Sequence, residues 1–265
     1  MYLTDFHLHS KYSFDGKEEL RTICDQAIAQ GMQEIAITDH MDIYSGKPYT
    51  CILDAKSLYQ ELREVKESYR GRLKVMVGAE VGQPQINPEE AEKFMAEYPL
   101  DFVIGSVHNV ENDADLYYFD FAKMDCNKIY DHYLDWLLEL ADGYDFDVMG
   151  HITYPIRYML QRGQKVDMKL FDEKIRDLYQ RLISNGKGIE LNVSGLYRPG
   201  KFAMPTLELL KLYKECGGEI LTIGSDAHEK QYVGAPIREG MEIVKAAGFT
   251  HINTFSERKP VFHTI

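Results

Sequence analysis

Short β-rich runs alternate with amphipathic helical runs along most of this 265-residue chain. This alternation predicts parallel strands joined by right-handed helical crossovers. Seven or eight such units, with no Pro-, Gly- or Ser-rich linker between them, predict one closed (β/α) barrel domain over residues 1–265. An open doubly wound sheet is the alternative. The predicted strands are residues 2–7, 34–38, 74–79, 102–107, 147–151, 188–193 and 219–224, with a short eighth run at 250–255.

Helix signals between the strands support the same architecture. Runs 54–69 and 127–141 carry apolar residues at helical spacing. Pro205 and Pro236 suit the first turns of two further helices, each of which is expected to end at a glycine. The chain has neither GxGxxG nor GxxxxGK[ST], the phosphate loops that often accompany an open sheet, so the barrel is favoured.

Charge and cysteine content narrow the class of protein. The net charge of -12 opposes binding to nucleic acid backbones and anionic lipids, and no apolar run is long enough to span a membrane. Cys24, Cys51, Cys126 and Cys216 are far apart and form no CxxC pair, which predicts free thiols in a reducing compartment. We therefore expect a cytoplasmic monomer or small homo-oligomer that binds neither nucleic acid nor membranes.

Potential metal ligands stand where the predicted strands end. His7 and His9 alternate at the end of the first strand, so both imidazoles can face one metal. The carboxyl ends of barrel strands form a single rim, which is where barrel active sites lie. Imidazoles and carboxylates are costly to bury there unless divalent cations compensate them. The candidate ligands are His7, His9, Asp15, His40, Glu80, His108, His151, Asp226 and His228.

The size of this set predicts a multinuclear centre. A catalytic zinc site takes about three protein ligands and keeps one position open, so nine candidates suit two or three ions, with Glu80 as the bridging carboxylate. Mixed imidazole and carboxylate ligands favour zinc, manganese or iron over magnesium or calcium. Asp5 is expected to bond an imidazole nitrogen, and Asp39 to support a ligand rather than bind metal. The sixth strand, 188–193, shows no obvious ligand.

In combination, these motifs resemble the polymerase and histidinol phosphatase (PHP) superfamily. The matching segments are DFHLHS (5–10), TDH (38–40), GAE (78–80), SVH (106–108), GH (150–151) and GSDAH (224–228), which together span nearly the whole chain. The segment LNVSGLYR (191–198) and the chain length are similar to the histidinol-phosphatase branch. The resemblance implies a distorted (β/α)7 barrel with a two- or three-metal centre at the C-terminal ends of the strands.

The resemblance also implies how the ligands are divided. A first metal would take His7, His9, Glu80 and Asp226. A second would share Glu80 and add His108 and His151. A third would take Asp15, His40 and His228. Some members have a histidine in the first loop where this chain has Asp15, so the third set is the one that departs from the family pattern.

The implied activity is metal-dependent hydrolysis of a phosphate monoester, L-histidinol phosphate of histidine biosynthesis, by a metal-bridging hydroxide that attacks phosphorus. Asp226 or His228 would protonate the leaving alcohol. Arg198 is the first choice for binding the phosphate, followed by Arg157 and Lys201. The amine and imidazole of this substrate are expected to contact Asp42, Tyr44 and Tyr117.

Three alternative functions remain at this level. The same fold can serve another small monoester or phosphotyrosine, because specificity is set by loops. An amidohydrolase barrel also begins with HxH, but such barrels often carry a bridging lysine on the fourth strand, where this chain has His108. A nucleic-acid-binding accessory module is opposed by the acidic charge and the lack of a basic stripe.

Overall fold

The computed structural model describes residues 1–44, 54–110, 114–198 and 201–265. The strands in these ranges are β1 (Thr4–Asp5), β2 (Glu34–Ile37), β3 (His40–Asp42), β4 (Lys74–Gly82), β5 (Phe102–Ser106), β6 (Asn109–Val110), β7 (Ala114–Asp115), β8 (Val148–Met149), β9 (Gly188–Asn192), β10 (Leu221–Gly224), β11 (His251–Ser256) and β12 (Lys259–Thr264). The α-helices are α1 (Leu20–Ala29), α2 (Ala55–Ser68), α3 (Pro88–Glu97), α4 (Cys126–Gly143), α5 (Tyr154–Gln161), α6 (Asp172–Ser184), α7 (Leu207–Glu215) and α8 (Ile237–Ala246).

Seven parallel strands form the barrel wall in the order β1-β2-β4-β5-β8-β9-β10, and β3 also pairs with β4. The first and last of these strands meet again. The Phe6 amide donates to the Ile223 carbonyl and the Asp226 amide donates to the His7 carbonyl, each at 2.9 Å. The sheet is therefore a nearly closed barrel, and the predicted (β/α)7 architecture is confirmed.

The helices cover the outside of the barrel with the apolar faces that their spacing predicts. In α2, for example, Leu58, Leu62 and Val65 are buried. The prediction for Pro205 is wrong in detail, because α7 begins at Leu207 after Thr206, whose hydroxyl accepts a hydrogen bond from the Leu209 amide. No helix in the described part of the chain is long and apolar enough to cross a membrane.

Three of the four cysteines can be placed. Cys24, Cys126 and Cys216 are free thiols, as predicted. Cys51 lies outside the described residues.

The end of the chain differs from the predicted eighth unit. β11 pairs antiparallel with β12 rather than joining the barrel, and its Phe255 packs against Phe102 at 5.0 Å between ring centroids. These rings belong to a small apolar cluster with Phe6, Ala36, Met76, Ile104 and Val148. These side chains come from early positions in the strands, so the hairpin closes the amino-terminal end of the barrel, opposite the predicted site.

A partly buried ion pair holds the hairpin in that position. Arg258, between β11 and β12, donates from Nε to Asp147 Oδ2 at 2.7 Å. The same Asp147 oxygen accepts the Val103 amide of β5 at 2.8 Å. Because Asp147 precedes β8, one carboxylate connects the hairpin turn to two barrel strands.

We expect Phe255→Ala to lower the free energy of unfolding by about 3–5 kcal/mol, because it removes a buried ring and leaves a cavity at the barrel floor. Phe262→Ala in β12 is the matched control. Its ring is 53% exposed, so the change should stay within about 0.5 kcal/mol. Urea unfolding measures both values, and equal costs would show that Phe255 does not close the barrel.

Candidate metal centre

Glu80, near the end of β4, lies at the centre of the predicted ligand cluster. Its carboxylate is fully buried. Oε2 lies 3.2 Å from His7 Nε2 and 3.6 Å from His9 Nε2. Oε1 lies 3.2 Å from His108 Nε2 and 2.9 Å from His151 Nε2. The two oxygens thus face two different pairs of imidazoles, which is the geometry expected of a bridging carboxylate.

Asp226 joins Glu80 beside the first pair of imidazoles, His7 and His9. Its Oδ1 lies 3.8 Å from His7 Nε2 and 3.4 Å from His9 Nε2. Donors about 2.0–2.1 Å from a tetrahedral ion are separated from one another by roughly 3.4 Å. The contacts among these four side chains match that separation, so His7, His9, Glu80 and Asp226 form a group of the size that one ion requires.

The second group is equally compact. His108 Nε2 and His151 Nε2 are 3.3 Å apart, and each lies near Glu80 Oε1 as described above. The structure thus brings together the three side chains that were expected to share a second ion.

The third group gathers around Asp15, at the rim. Asp15 Oδ2 lies 3.0 Å from His228 Nε2, and Asp15 Oδ1 lies 3.7 Å from His40 Nε2. The other nitrogen of His40, Nδ1, lies 3.0 Å from Glu80 Oε2. His40 therefore stands between the bridging carboxylate and the Asp15 group, and it also clusters closely enough with Glu80 and His108 to share an ion with them.

The donor atoms fit divalent cations because they are buried without hydrogen-bond partners. Among the described residues, seven atoms of this kind belong to the candidate ligands: His7 Nε2, His9 Nε2, Asp15 Oδ1, His40 Nδ1, Glu80 Oε2, His151 Nδ1 and His228 Nε2. Buried polar groups in folded proteins are almost always hydrogen-bonded. These nitrogens and oxygens lie close together but are not aligned for hydrogen bonding. Ligands around a shared ion are expected to have this arrangement. The set supports divalent metal binding.

The electrostatics of the cluster support the same conclusion. Burial raises the pKa of Glu80, but the neighbouring His7, His108 and His40 outweigh it and hold that pKa well below its usual value. Burial, with His228 and His40 nearby, lowers the pKa of His9 to about 3. Burial opposes the charged forms of His7, His40 and His108, but the carboxylates around them outweigh it and raise their pKa values, that of His40 to about 9. Without an ion these imidazoles therefore carry protons, which divalent cations would displace on binding.

Glu190 in β9 was missed in the sequence, where the sixth strand showed no obvious ligand. Its Oε1 lies 2.6 Å from His7 Nδ1, and its Oε2 accepts the backbone amide of His151 at 3.1 Å. Gly224 allows this approach, because an added Cβ would lie 2.3 Å from His7 Cβ and 2.5 Å from Glu190 Oε1. The signal available in the sequence was a glutamate between apolar residues of a buried strand.

Asp42, a predicted contact for a substrate amine, lines the cavity above the cluster and also bonds one of the candidate ligands. Its Oδ1 lies 2.9 Å from His108 Nδ1 and accepts the Gln83 amide at 3.2 Å. The carboxylate is almost fully buried. Asp42 therefore orients His108, since a carboxylate on the far nitrogen of a histidine fixes its tautomer and ring.

Contrary to the prediction, Asp5 does not bond an imidazole, whereas Asp39 does support a candidate ligand. Asp5 contacts no imidazole: its carboxylate accepts the amide and hydroxyl of Ser225 and the Gly234 amide. It therefore holds the loop that carries Asp226. Asp39 accepts the Ser13 hydroxyl at 2.7 Å, and Ser13 Oγ lies 3.3 Å from His9 Nδ1, so Asp39 supports a ligand as predicted.

A cavity of about 510 Å³ opens above the cluster. Of the predicted substrate contacts, five line it: Asp42, Tyr44, Tyr117, Arg157 and Arg198. Lys201 does not: its ammonium is exposed and lies 3.8 Å from Glu239 on the outer surface. The sequence-based assignment of Lys201 to the phosphate is therefore not supported by its position.

Arg157 is the cation that lies nearest the proposed ligands. Its side chain is buried, with Nη1 3.1 Å from Ser194 Oγ and 4.0 Å from Asp226 Oδ2. The guanidinium lies against the rings of Tyr154 and Tyr158, at 5.0 and 4.7 Å from their centroids. Its Nε has no hydrogen-bond partner among the described residues. Arg157 lines the cavity beside Asp226, whereas the sequence placed it second to the exposed Arg198.

Comparison with known proteins agrees with this geometry. The model of the PHP domain matches residues 5–194. The chain belongs to the PHP domain family. The curated histidinol-phosphatase of Lactococcus lactis is 28% identical over 261 residues, which cover 96% of this chain and 95% of that protein. The histidinol-phosphatase of Bacillus subtilis is 25% identical over 263 residues, covering 87% of this chain and 95% of its own.

A solved structure is also similar to this PHP chain over its full length. It is the Lactococcus lactis histidinol phosphate phosphatase, crystallised with zinc, L-histidinol and phosphate. The TM-score is 0.84 at 25% sequence identity, and the superposition covers 98% of each chain.

We expect Glu190→Gln to weaken metal binding by roughly 10- to 100-fold, because it removes the charge that orients His7 and raises the basicity of its metal-facing nitrogen. Competition with a chromophoric chelator measures the affinity. Glu208→Gln, on the exposed side of α7, is the control and should leave the affinity unchanged. An unaltered affinity in Glu190→Gln would contradict an orienting role.

Proposed function

We propose that this PHP protein is a metal-dependent L-histidinol-phosphate phosphatase that acts in histidine biosynthesis in the cytoplasm. One observation carries the proposal: a buried cluster centred on Glu80 opens into the same cavity as Arg157. Anion-binding and cation-binding groups thus converge on one space large enough for a small phosphorylated substrate. The histidinol-phosphatase relatives, which match nearly end to end, favour this substrate over other monoesters.

The proposed ligand sets are those of the three groups, for two or three ions of zinc, manganese or iron. Such ions, when bound, would lower the pKa of a coordinated water and neutralise charge on the phosphate. The protein's own contribution is to hold the donors at fixed separations. Glu190 and Asp42 do so by bonding the far nitrogens of His7 and His108.

Arg157 is the proposed phosphate-binding residue. Its guanidinium is always charged and can bind two phosphate oxygens in one plane. Ser194 and the rings of Tyr154 and Tyr158 fix its position, so little freedom is lost when the substrate binds. Arg198, exposed at the cavity wall, is the proposed second cation.

Asp226 and His228 are the two proposed candidates to exchange a proton with the leaving oxygen. His228 uses both nitrogens, since Nδ1 donates to the Asp226 carbonyl at 3.0 Å and Nε2 faces Asp15. Asp226 directs only Oδ1 toward His7 and His9. Its Oδ2 lies toward Arg157 and accepts the Asn192 amide at 3.3 Å, on the side where the phosphate is proposed to bind.

The proposed function is tested with a panel of phosphate esters at saturating metal. We expect kcat/KM for L-histidinol phosphate to exceed that for p-nitrophenyl phosphate by at least roughly 100-fold, the range that specific contacts to a substrate supply. Equal values for these two esters would refute the assignment. Preference for a phosphotyrosine peptide would instead indicate a phosphotyrosine phosphatase with the same fold.

Metal analysis of the active protein is the companion measurement. We expect two or three divalent ions per chain, and loss of activity on chelation that is restored by zinc or manganese. Fewer than two ions per chain in an active sample would contradict the proposed multinuclear centre.

We expect Arg157→Lys to lower kcat/KM by roughly 100-fold, since an ammonium cannot reproduce two parallel bonds to phosphate in the transition state. Arg162→Lys, exposed at the end of the same helix, is the control and should change kcat/KM less than about twofold. Circular dichroism would confirm that both variants are folded. Unchanged kinetics in Arg157→Lys would assign the phosphate to Arg198 instead.

A further inference from the structure

The carboxylates that line the cavity are almost all engaged by cationic or histidine partners. Asp15, Glu80 and Asp226 belong to the three ligand groups, and Asp42 bonds His108. Glu229 is paired with Lys17 at 2.7 Å. The remaining lining carboxylate is Asp115.

Asp115 has no ion pair among the described residues. Its Oδ1 accepts the backbone amide of Tyr117 at 2.7 Å, a bond that needs an acceptor but no charge. Burial raises the pKa of Asp115, as expected of a carboxylate that lacks a cation. A half-buried carboxylate in a binding cavity is therefore available for a positively charged group.

The structure holds Asp115 rigidly beside the proposed metal centre. β7, which ends at Asp115, pairs antiparallel with β6, and Asn109 is its register partner. The next residue, Leu116, donates its amide to the His108 carbonyl at 3.1 Å. Asp115 is thus tied on both sides to the segment that carries His108.

Aromatic rings complete a site for a cation. Tyr117, Tyr118 and Tyr154 line the same cavity, and Asp115 is close enough to Tyr154 to contribute, after burial and Tyr158, to the raised pKa of that phenol. An ammonium group is stabilised by a carboxylate and also by the faces of aromatic rings. Arg157 lies against Tyr154 as well, so the cavity presents both a phosphate-binding and an ammonium-binding group.

We propose that Asp115 selects phosphate esters that carry a primary ammonium group, by accepting a charged hydrogen bond from that ammonium while Arg157 and the metal centre hold the phosphate. This assignment rests on the proposed phosphatase function. It identifies the feature of L-histidinol phosphate that this cavity distinguishes from a neutral ester.

The test is Asp115→Asn, which keeps the acceptor for the Tyr117 amide and removes only the charge. Asp115→Ser also retains an acceptor in this capping position and serves if the first variant is unstable. Glu229→Gln is the matched control, because it removes a charge from the same cavity wall at a carboxylate already paired with Lys17.

Two substrate pairs measure the selectivity for an ammonium group: L-histidinol phosphate with its N-acetyl derivative, and O-phosphoethanolamine with ethyl phosphate. We expect the ratio of kcat/KM within each pair to fall roughly 10- to 100-fold in Asp115→Asn, the range for losing a hydrogen bond to a charged group. The ratios should stay within about twofold in Glu229→Gln. Most of the loss should appear in KM.

The outcomes separate this inference from the proposed function. Equal loss for both members of each pair, or unchanged ratios, would overturn the assignment of Asp115. A wild-type protein that hydrolyses other esters but not L-histidinol phosphate would refute the proposed function, and the phosphoethanolamine pair would still decide whether Asp115 recognises ammonium.

Discussion

The burial of the Glu80 carboxylate is the constraint on which the rest of the site depends. A fully buried anion is costly unless it is compensated, and here both of its oxygens face imidazoles from several strand ends. Three of these imidazoles have a partner on the far nitrogen: Glu190 for His7, Asp42 for His108 and Ser13 for His9. The closed barrel makes this possible, because its strand ends meet at one rim.

The interior of the barrel consists of an apolar layer and a polar layer. At the amino-terminal end, apolar side chains such as Phe6 and Met76 fill the space and Phe255 closes it. At the carboxyl-terminal end, polar side chains replace them. In β4, Met76 and Glu80 lie on the same face of the strand. Met76 contributes to the apolar layer and Glu80 to the ligand cluster, so one strand serves both the stability of the barrel and its site.

The sequence was sufficient to predict the barrel and the gathering of nine candidate ligands at one end of it, because the residues that follow parallel strands must meet at one rim. Their binding of metal remains a prediction. It was less informative about partners that depend on three-dimensional packing. Glu190 lies inside a strand rather than at its end, and Asp5 and Asp42 point toward groups distant in sequence. The sequence left open whether the run at 250–255 forms an eighth unit, because local strand propensity does not specify the pairing partner.

The barrel seam has a consequence for how the protein matures. His7 and Asp226 belong to one donor group but enter it from opposite ends of the chain, joined by hydrogen bonds between the first and last barrel strands. A nascent chain that has not yet emerged as far as Asp226 lacks a complete first site. An ion at the proposed first site would therefore bind only after most of the chain has been made, and it would resist separation of β1 from β10.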